Sequence, residues 1–249
     1  MIIDINCWTG HWATHPLQGD AAAVRASVQA VGVDRLCLSP LSGVLAHNPH
    51  VANESVYAAA AQWDEVLPVP LLDPTIPTWT EELERAREHE GVSLVKWLPA
   101  YSQYLLAEAD ECADAIAGAG LGLIVQVRLE DPRRQHPLAV VGDADASEVV
   151  ELARRHPDLT VMVGGAAWGT LRQHSAALLE LPNLYADMSQ ADGMDGVKLL
   201  VEAGLTAKLL FGTHAPFFVP LAAVSRVMAD IDDESAAAIL GGNAAALLA

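Results

Sequence analysis

The chain alternates between two patterns of hydrophobic and polar positions. Short apolar runs rich in β-branched residues recur at near-regular intervals, and each is followed by an alanine- and leucine-rich segment with helical periodicity. This alternation is typical of βα units around a parallel sheet. Eight runs are predicted to be strands: 2–6, 35–39, 66–72, 92–98, 121–127, 159–164, 184–189 and 207–213. Eight units in a chain of this length predict an α/β fold, the (β/α)8 TIM barrel.

Capping residues support the helices between these runs. Asp20 precedes AAAVRASVQAVG, a helix is predicted from Leu105 onward to a glycine, and Asp232 opens the terminal AAAILGG. Proline-containing stretches at 72–79 and 130–137 follow predicted strands directly. Barrel enzymes carry their functional loops at these positions, so candidate chemistry is sought there.

Composition narrows the picture further. The chain has 249 residues, 52% of them hydrophobic, which is enough for one barrel domain over 1–249. Its formal charge of -18 argues against nucleic acid and anionic membranes as partners, but not against a small anionic substrate in a basic cleft. Three scattered cysteines are expected to be buried thiols, and neither a signal peptide nor a membrane span is expected. We therefore expect a cytoplasmic protein, with homo-oligomerisation left open.

Polar residues at the ends of the predicted strands are the first candidates for a site, because active sites of such barrels lie at the carboxyl ends of the strands. The neighbouring loops add histidines, tyrosines and a charged group after the fifth strand. The candidates are Asn6, Trp8, His11, His15, Lys96, Tyr101, Tyr104, Gln126, Arg128, Glu130, Asp131, Asp187, Ser189 and His214.

Five segments, taken in order, resemble the landmarks of amidohydrolase-related proteins of the metallo-dependent hydrolase superfamily. They are IIDIN, VKWLPAYSQY, NLYADMSQ, LLFGTHAPFF and GGNAAALL. The combination of FGT-x-xPF on the eighth strand with a terminal GGNAxxLL helix is the more specific part. The resemblance covers the whole chain and implies a barrel that hydrolyses or cleaves small molecules, usually with zinc or another divalent metal.

The metal ligands that the resemblance implies are replaced in this chain. His-x-His after the first strand is Asn6-Cys7-Trp8, the fifth-strand histidine is Gln126, the sixth strand ends in Gly164 and Gly165, and the eighth-strand aspartate is His214. A divalent metal needs three or four convergent donors, which these side chains do not supply. The sequence therefore predicts a divergent member without a cofactor. A relocated site made of His11, His15 and His214 remains an alternative.

Without a metal, a side chain must activate water. His214 is the expected general base because imidazole titrates near neutral pH, although it is equally compatible with a hydrogen-bonded loop histidine. Lys96 and Arg128 are expected to hold a carboxylate or an oxyanion. Asp131, like Arg128, is a possible replacement for the metal, unless the charges of this loop only pair with one another.

The remaining candidates are assigned to substrate binding. Asn6, Trp8, His11, Tyr101 and Gln126 are expected to line a pocket for a small carboxylate-bearing or cyclic substrate, although aromatic residues at strand ends are as often plain packing.

Three functions stay open. The first is a metal-independent hydrolase or lyase, the second a catalytically silent barrel that binds or assembles, and the third a metal-dependent hydrolase with a rearranged site. Convergence of His214, Lys96 and Arg128 together with a perturbed pKa of His214 would favour catalysis, whereas a barrel mouth filled by side chains would favour the silent barrel.

Overall fold

The computed structural model describes residues 1–193, 195–229 and 231–248. Eight strands run parallel to their neighbours in chain order. They are β1 (Ile3–Thr9), β2 (Arg35–Pro40), β3 (Val66–Pro68), β4 (Leu94–Trp97), β5 (Gly122–Gln126), β6 (Val161–Gly164), β7 (Leu184–Asp187) and β8 (Leu209–Leu210). Each predicted run overlaps one of these strands, so the predicted strand order is confirmed.

Backbone hydrogen bonds close the strands into a barrel. Beyond β3, the N–H of Lys96 donates to Pro70 O at 2.9 Å, which joins β3 to β4. At the other seam, His214 N donates to Asn6 O at 3.0 Å and Trp8 N donates to Ala215 O at 2.8 Å. The predicted (β/α)8 barrel is therefore confirmed, and the closing seam brings the ends of β1 and β8 together.

Two strands, β3 and β8, fall furthest short of their predicted runs. β3 ends at Pro68, because Pro68 and Pro70 lack the N–H that a continuous ladder requires. The eighth run covers seven residues, but only Leu209–Leu210 pair as a strand, and the segment that follows them carries the functional loop.

Helices on the outside complete the βα units. They are α1 (Ala21–Gln29), α2 (Glu54–Ala60), α3 (Trp79–Glu88), α4 (Pro99–Ser102), α5 (Asp110–Gly118), α6 (Ala146–Arg155), α7 (Trp168–Gln173), α8 (Ser175–Glu180), α9 (Gly196–Glu202), α10 (Pro220–Met228), α11 (Asp233–Ala237) and α12 (Asn243–Leu247). No helix in the part of the chain that the structure describes is long and apolar enough to cross a membrane.

The helix ends test the capping predictions. Asp20 caps α1 as predicted, its carboxylate accepting from Ala23 N at 2.9 Å. Asp232 likewise accepts from Ser235 N at 2.8 Å. The helix predicted from Leu105 begins only at Asp110, because a short 3-10 turn over Leu106–Glu108 precedes it. Capping side chains were therefore better guides than composition to where a helix starts.

Alternation along the strands separates two apolar layers. On β5, Ile124 points into the barrel interior, while Leu123 and Val125 pack against the surrounding helices. On β4 the same alternation makes Leu94 an interior residue and Val95 an outer one. Lys96, one step further, therefore faces the interior near the carboxyl ends of the strands.

A β-bulge in β1 sets the direction of Asn6. Asp4 pairs with Leu36 and Cys7 with Leu38, so β1 advances by three residues where β2 advances by two. An extra residue of this kind bends the strand and redirects a side chain. The bulge lets β1 place Ile5 in the interior core and still direct Asn6 toward Lys96 and Asp187.

The terminal helix is anchored beneath the barrel by Asn243. Its amide group donates to Thr206 O at 2.7 Å and Leu209 O at 2.8 Å, next to β8. Gly241 lies so close to the backbone of Met1 that a Cβ there would collide with it. Gly241 and Asn243 of the GGN motif are thus explained by packing at the end of the barrel opposite the candidate site.

We expect Gly212→Ala to lower the free energy of unfolding by about 2–4 kcal/mol, because overpacking strains a dense core. A Cβ at Gly212 would collide with Asp187 Oδ1 and lie 3.2 Å from Asn6 Cβ. Gly169 is the matched control, since a Cβ there meets nothing within 4 Å, and its replacement by alanine inside α7 should be neutral or slightly stabilising. Urea denaturation measures both. Equal effects of the two substitutions would contradict this packing.

Candidate active site

A buried lysine lies at the centre of the candidate site. Lys96 on β4 is fully buried, and its Nζ donates to Asn6 Oδ1 at 2.8 Å. The same Nζ lies 4.0 Å from the centroid of the Trp8 ring, within the range of a cation–π contact. Burial lowers the pKa of Lys96 to about 8, although the carboxylate of Asp187 acts in the opposite direction. Lys96 is therefore still mostly protonated at physiological pH, although it loses its proton far more readily than an exposed lysine.

Asn6 connects this lysine to Asp187. The amide group of Asn6 donates to Asp187 Oδ2 at 2.6 Å. Asp187 also accepts from Ser189 Oγ at 2.6 Å, from Gly165 N at 2.9 Å and from Ser189 N at 2.7 Å. Because its charge is well solvated by these four donors, Asp187 does not depend on Lys96 to remain buried.

Gln126 extends the network across β5. Its Oε1 lies 3.2 Å from Asn6 Nδ2, and its Nε2 donates to Arg128 O at 2.6 Å. Gln190 also donates to the same carbonyl, at 2.9 Å, and to Leu129 O at 3.1 Å. The polar floor of the barrel mouth therefore has its hydrogen bonds fixed by neighbouring amides and carbonyls.

The residues at this floor do not fit a divalent metal. Asn6 and Gln126 offer carboxamides that are already hydrogen-bonded, and the ammonium of Lys96 lies against Asn6. A buried cation there opposes a second cation. Within residues 1–193, 195–229 and 231–248, no three His, Cys, Asp or Glu side chains are grouped so that they could hold a metal ion.

His214 lies four residues after β8, fully buried and with a strained backbone. Its backbone φ is 57°, in the left-handed region, and its ring stacks on Phe217 at 5.2 Å between centroids. Nε2 lies 2.5 Å from Leu129 O, a contact that requires this nitrogen to carry the proton, while the buried Nδ1 has no partner among the described residues. Burial, and to a lesser extent the charge of Lys96, lowers the pKa of His214 to about 3. The imidazole is therefore neutral.

Arg128 and Asp131 lie away from the lysine. The guanidinium of Arg128 forms a bidentate ion pair with Asp143, and only its carbonyl reaches the polar floor. Asp131 pairs with Arg133, whose hydrogen bond lowers the pKa of the carboxyl to about 2. The structure therefore does not bring Arg128 to the ammonium of Lys96, and both charges shape the loop after β5.

A hydrophobic layer, which we call the mouth cluster, lies at the carboxyl ends of the strands. It consists of Trp8, Trp12, Leu41, Val44, Leu71, Leu98 and Leu129, with Leu17, Tyr101 and Phe217 packed against it. Of the predicted substrate-binding residues, Trp8 and Tyr101 lie in this layer, Asn6 and Gln126 lie in the polar floor, and His11 is exposed. The predicted pocket is therefore divided between a polar floor and an apolar cover.

The loop after β1 contributes Trp12 and Leu17 to the cover. Gly10 N donates to Gly19 O at 2.6 Å, so the ends of this loop are tied together. Trp12 from its middle packs against Phe217 at 5.6 Å between ring centroids, and His15 Nδ1 lies 3.2 Å from the buried carboxylate of Glu130. The loop therefore has its ends joined to each other and its middle packed on the loops after β5 and β8.

Three contributors to the site are not among the candidate residues chosen from the sequence. Gln190 fixes the loop after β5, the N–H of Gly165 donates to Asp187, and Gly212 leaves the space that Asp187 occupies. Of these, only Gln190 carried a usable signal, since it follows the strand-end pair Asp187 and Ser189 directly. The two glycines act through backbone position, which a single sequence does not reveal.

Solved structures with the same architecture confirm the class of the fold. An uncharacterised TIM-barrel protein from Bordetella bronchiseptica is 15% identical, with a TM-score of 0.73 and coverage of 99% of this chain and 98% of the other. The 5-carboxyvanillate decarboxylase of Sphingomonas paucimobilis is 15% identical, with a TM-score of 0.76 and coverage of 99% of this chain and 98% of the other. A 2,6-dihydroxybenzoate decarboxylase from Rhizobium is 18% identical, with a TM-score of 0.70 and coverage of 99% of this chain and 98% of the other.

The sequence gives the more particular assignment. The family model described as Amidohydrolase matches residues 42–249, which is most of the chain. The protein is a (β/α)8 barrel whose candidate site lies at the carboxyl ends of the strands. It belongs to the amidohydrolase family, as the landmarks of the sequence predicted. No curated protein matches it significantly.

Proposed function

We propose that this protein is a metal-independent hydrolase or lyase for a small carboxylate-bearing molecule, with Lys96 as its central cation. The observation that carries the proposal is the position of the Lys96 ammonium, which lies against Asn6 and so among the positions where metal ligands of related proteins are expected. A buried positive charge can stabilise an anionic substrate or a developing oxyanion much as a metal does.

The partners of Lys96 leave room for such an anion. Its hydrogen-bond acceptor, Asn6 Oδ1, is a neutral amide, and Asp187 lies one hydrogen bond further away with four donors of its own. A substrate carboxylate would supply a direct counter-charge in a water-poor site, where a charge-assisted hydrogen bond is strong.

In this proposal His214 positions the site instead of acting as its general base. A base works best when its pKa is near the operating pH, and the pKa of His214 is about 3 in this closed arrangement. Its Nε2–H holds Leu129 O, and its ring supports Phe217 in the mouth cluster. This proposal requires the loop between Gly10 and Gly19 to move aside for substrate to reach Lys96, because Trp12 of this loop belongs to the mouth cluster.

The chemistry of the two decarboxylases suggests the first compounds to test. We expect chelator-treated protein in metal-free buffer to turn over at least one member of a panel of aromatic carboxylic acids and lactones, followed by carbon dioxide release and by ester cleavage. Lys96→Met should remove the activity, while Lys198→Met on α9 serves as the matched lysine control. Activity that needs an added divalent metal, or that survives Lys96→Met, would refute the proposal.

The second candidate function is a silent barrel that binds or assembles. The observation in its favour is the mouth cluster, which covers the polar floor with apolar side chains. Absence of turnover across the whole panel, together with small-molecule binding that does not involve Lys96, would favour this candidate over the enzyme.

A further inference from the structure

A cavity of about 520 Å³ opens beside the mouth cluster, at the ends of three neighbouring strands. This volume is in the range of small-molecule sites. Loops following β2, β3 and β4 supply its lining, which comprises residues 44–47, Asp73, Thr75, Ile76 and residues 101–103.

The cavity borders the proposed catalytic region. Val44 and Tyr101 line it and also belong to or pack against the mouth cluster. Asp73 directly follows Leu72, whose N–H donates to Lys96 O at 3.0 Å. The cavity therefore adjoins the mouth cluster beside β3 and β4, the strand that carries Lys96.

Asp73 is held rigidly in the wall of the cavity. Its Oδ1 accepts from Thr75 N at 2.9 Å and from Thr75 Oγ1 at 2.7 Å, and its own N–H donates to His50 Nε2 at 2.9 Å. These bonds fix the side chain through Oδ1 and leave Oδ2 to accept from a ligand. A carboxylate positioned in this way is a strong acceptor for a hydroxyl or an ammonium group.

The charges of the lining set its preference. It contains the carboxylate of Asp73 and the imidazole of His47, but neither lysine nor arginine. A second anionic group would therefore meet a like charge without a guanidinium or an ammonium to offset it, whereas a donor would meet Asp73. The side chains of Leu45 and Ile76 add apolar surface for the carbon chain or ring between the two ends.

We propose that this cavity binds the end of the substrate remote from its carboxylate, and that this end carries a hydroxyl or an ammonium group accepted by Asp73. The inference rests on the proposed function, because it takes the substrate carboxylate to lie at Lys96. It narrows the substrate class to monocarboxylates with a distal hydrogen-bond donor and excludes dicarboxylates as preferred ligands.

Probes that differ only in their end group test this preference for a hydrogen-bond donor over a second carboxylate. Isothermal titration calorimetry compares straight-chain acids of four to eight carbons that end in methyl, hydroxyl, ammonium or a second carboxylate. We expect the best hydroxyl- or ammonium-terminated acid to bind at least tenfold more tightly than the methyl-terminated acid of equal length, and the dicarboxylate to bind more weakly. Equal affinities across the four end groups, or no binding of any member, would overturn the inference.

Two variants assign the preference to Asp73. Asp73→Asn keeps an oxygen for Thr75 but loses the charge, so it should abolish the advantage of the ammonium end without weakening the methyl-terminated acid. Ser102→Lys adds a cation to the lining and should shift the preference toward the dicarboxylate, which provides a second test if Asp73→Asn fails to fold. An unchanged preference in both variants would contradict the role of Asp73.

The same titrations distinguish this inference from the proposed function. If Lys96→Met retains full affinity for the methyl-terminated acid while Asp73→Asn still abolishes the advantage of the ammonium end, the role proposed for Lys96 is wrong and the assignment of the cavity is upheld. If Lys96→Met weakens the binding of every probe and Asp73→Asn changes no affinity, the assignment of the cavity is wrong and the role proposed for Lys96 is upheld. Asp158→Asn, at the other end of the barrel, is the matched control for loss of an acidic side chain.

Discussion

Replacing Lys96 by methionine is expected to raise the free energy of unfolding at pH 7 by about 2 kcal/mol, while turnover falls by about a thousandfold or more. Burial lowers the pKa of Lys96 from 10.5 to about 8. At about 1.4 kcal/mol per pH unit, the buried ammonium costs the folded state about 3 kcal/mol at neutral pH. The variant also loses the hydrogen bond to Asn6 Oδ1, which lowers its free energy of unfolding by about 1 kcal/mol. The net gain in stability is therefore about 2 kcal/mol.

Removing one partner of a buried ion pair usually destabilises a protein, because the other charge is left unpaired. Lys96 differs in that its direct partner is a neutral amide and Asp187 keeps donors from Ser189 and Gly165. A lysine that costs stability and is nonetheless buried at the centre of the barrel is typical of a residue retained for function.

Urea denaturation at several pH values measures this effect. The folded state has the lower pKa for Lys96, so the destabilising contribution of this lysine should shrink from pH 8 toward pH 10.5, where the unfolded chain still binds the proton and the folded state has lost it. The gap between Lys96→Met and wild type should narrow over the same range. A Lys96→Met protein that is less stable than wild type by several kcal/mol would indicate a structural lysine instead.

Acid should destabilise the protein through His214 by up to about 5 kcal/mol. Burial lowers the pKa of this imidazole from 6.5 to about 3. Between these values the unfolded chain binds a proton that the folded state excludes. The contribution of neutral His214 is therefore complete above pH 6.5 and is lost progressively as the pH falls toward 3, with about 2 kcal/mol lost by pH 5.

Comparison with His214→Gln isolates this effect, because the other titrating groups are shared. The difference in unfolding free energy between wild type and His214→Gln should change by about 2 kcal/mol from pH 7 to pH 5. His47→Gln, at an exposed position, is the control and should follow wild type. A constant difference between wild type and His214→Gln across this range would show that the imidazole is not buried in neutral form.

The barrel could be predicted from the sequence because it follows from periodicity. Strands as short as β8 and β3 were still recognisable, since an apolar run is buried whether or not every residue pairs. Ends of elements were less predictable: the helix expected from Leu105 starts five residues later. The hydrogen bonds of a 3-10 turn set that boundary, and the pattern of hydrophobic residues does not predict them.

The candidate site was predicted in part. Strand ends indicated Lys96, Asn6 and Gln126, because a parallel barrel brings its carboxyl ends together. Their connection through Asp187 was not predictable, since it depends on the bulge in β1 and on the space left by Gly212. Arg128 was expected beside Lys96, but its ion pair with Asp143 depends on how a long loop folds back.

The most direct test of the cationic centre is the titration of the Lys96 side chain itself. The chain contains three lysines, so protein labelled with carbon-13 at the lysine ε position gives three signals, and Lys198→Arg and Lys208→Arg assign them by elimination. We predict that the Lys96 signal titrates near pH 8 and moves when a carboxylate probe binds. A Lys96 signal that titrates near pH 10.5 and ignores every carboxylate would contradict the role proposed for this lysine.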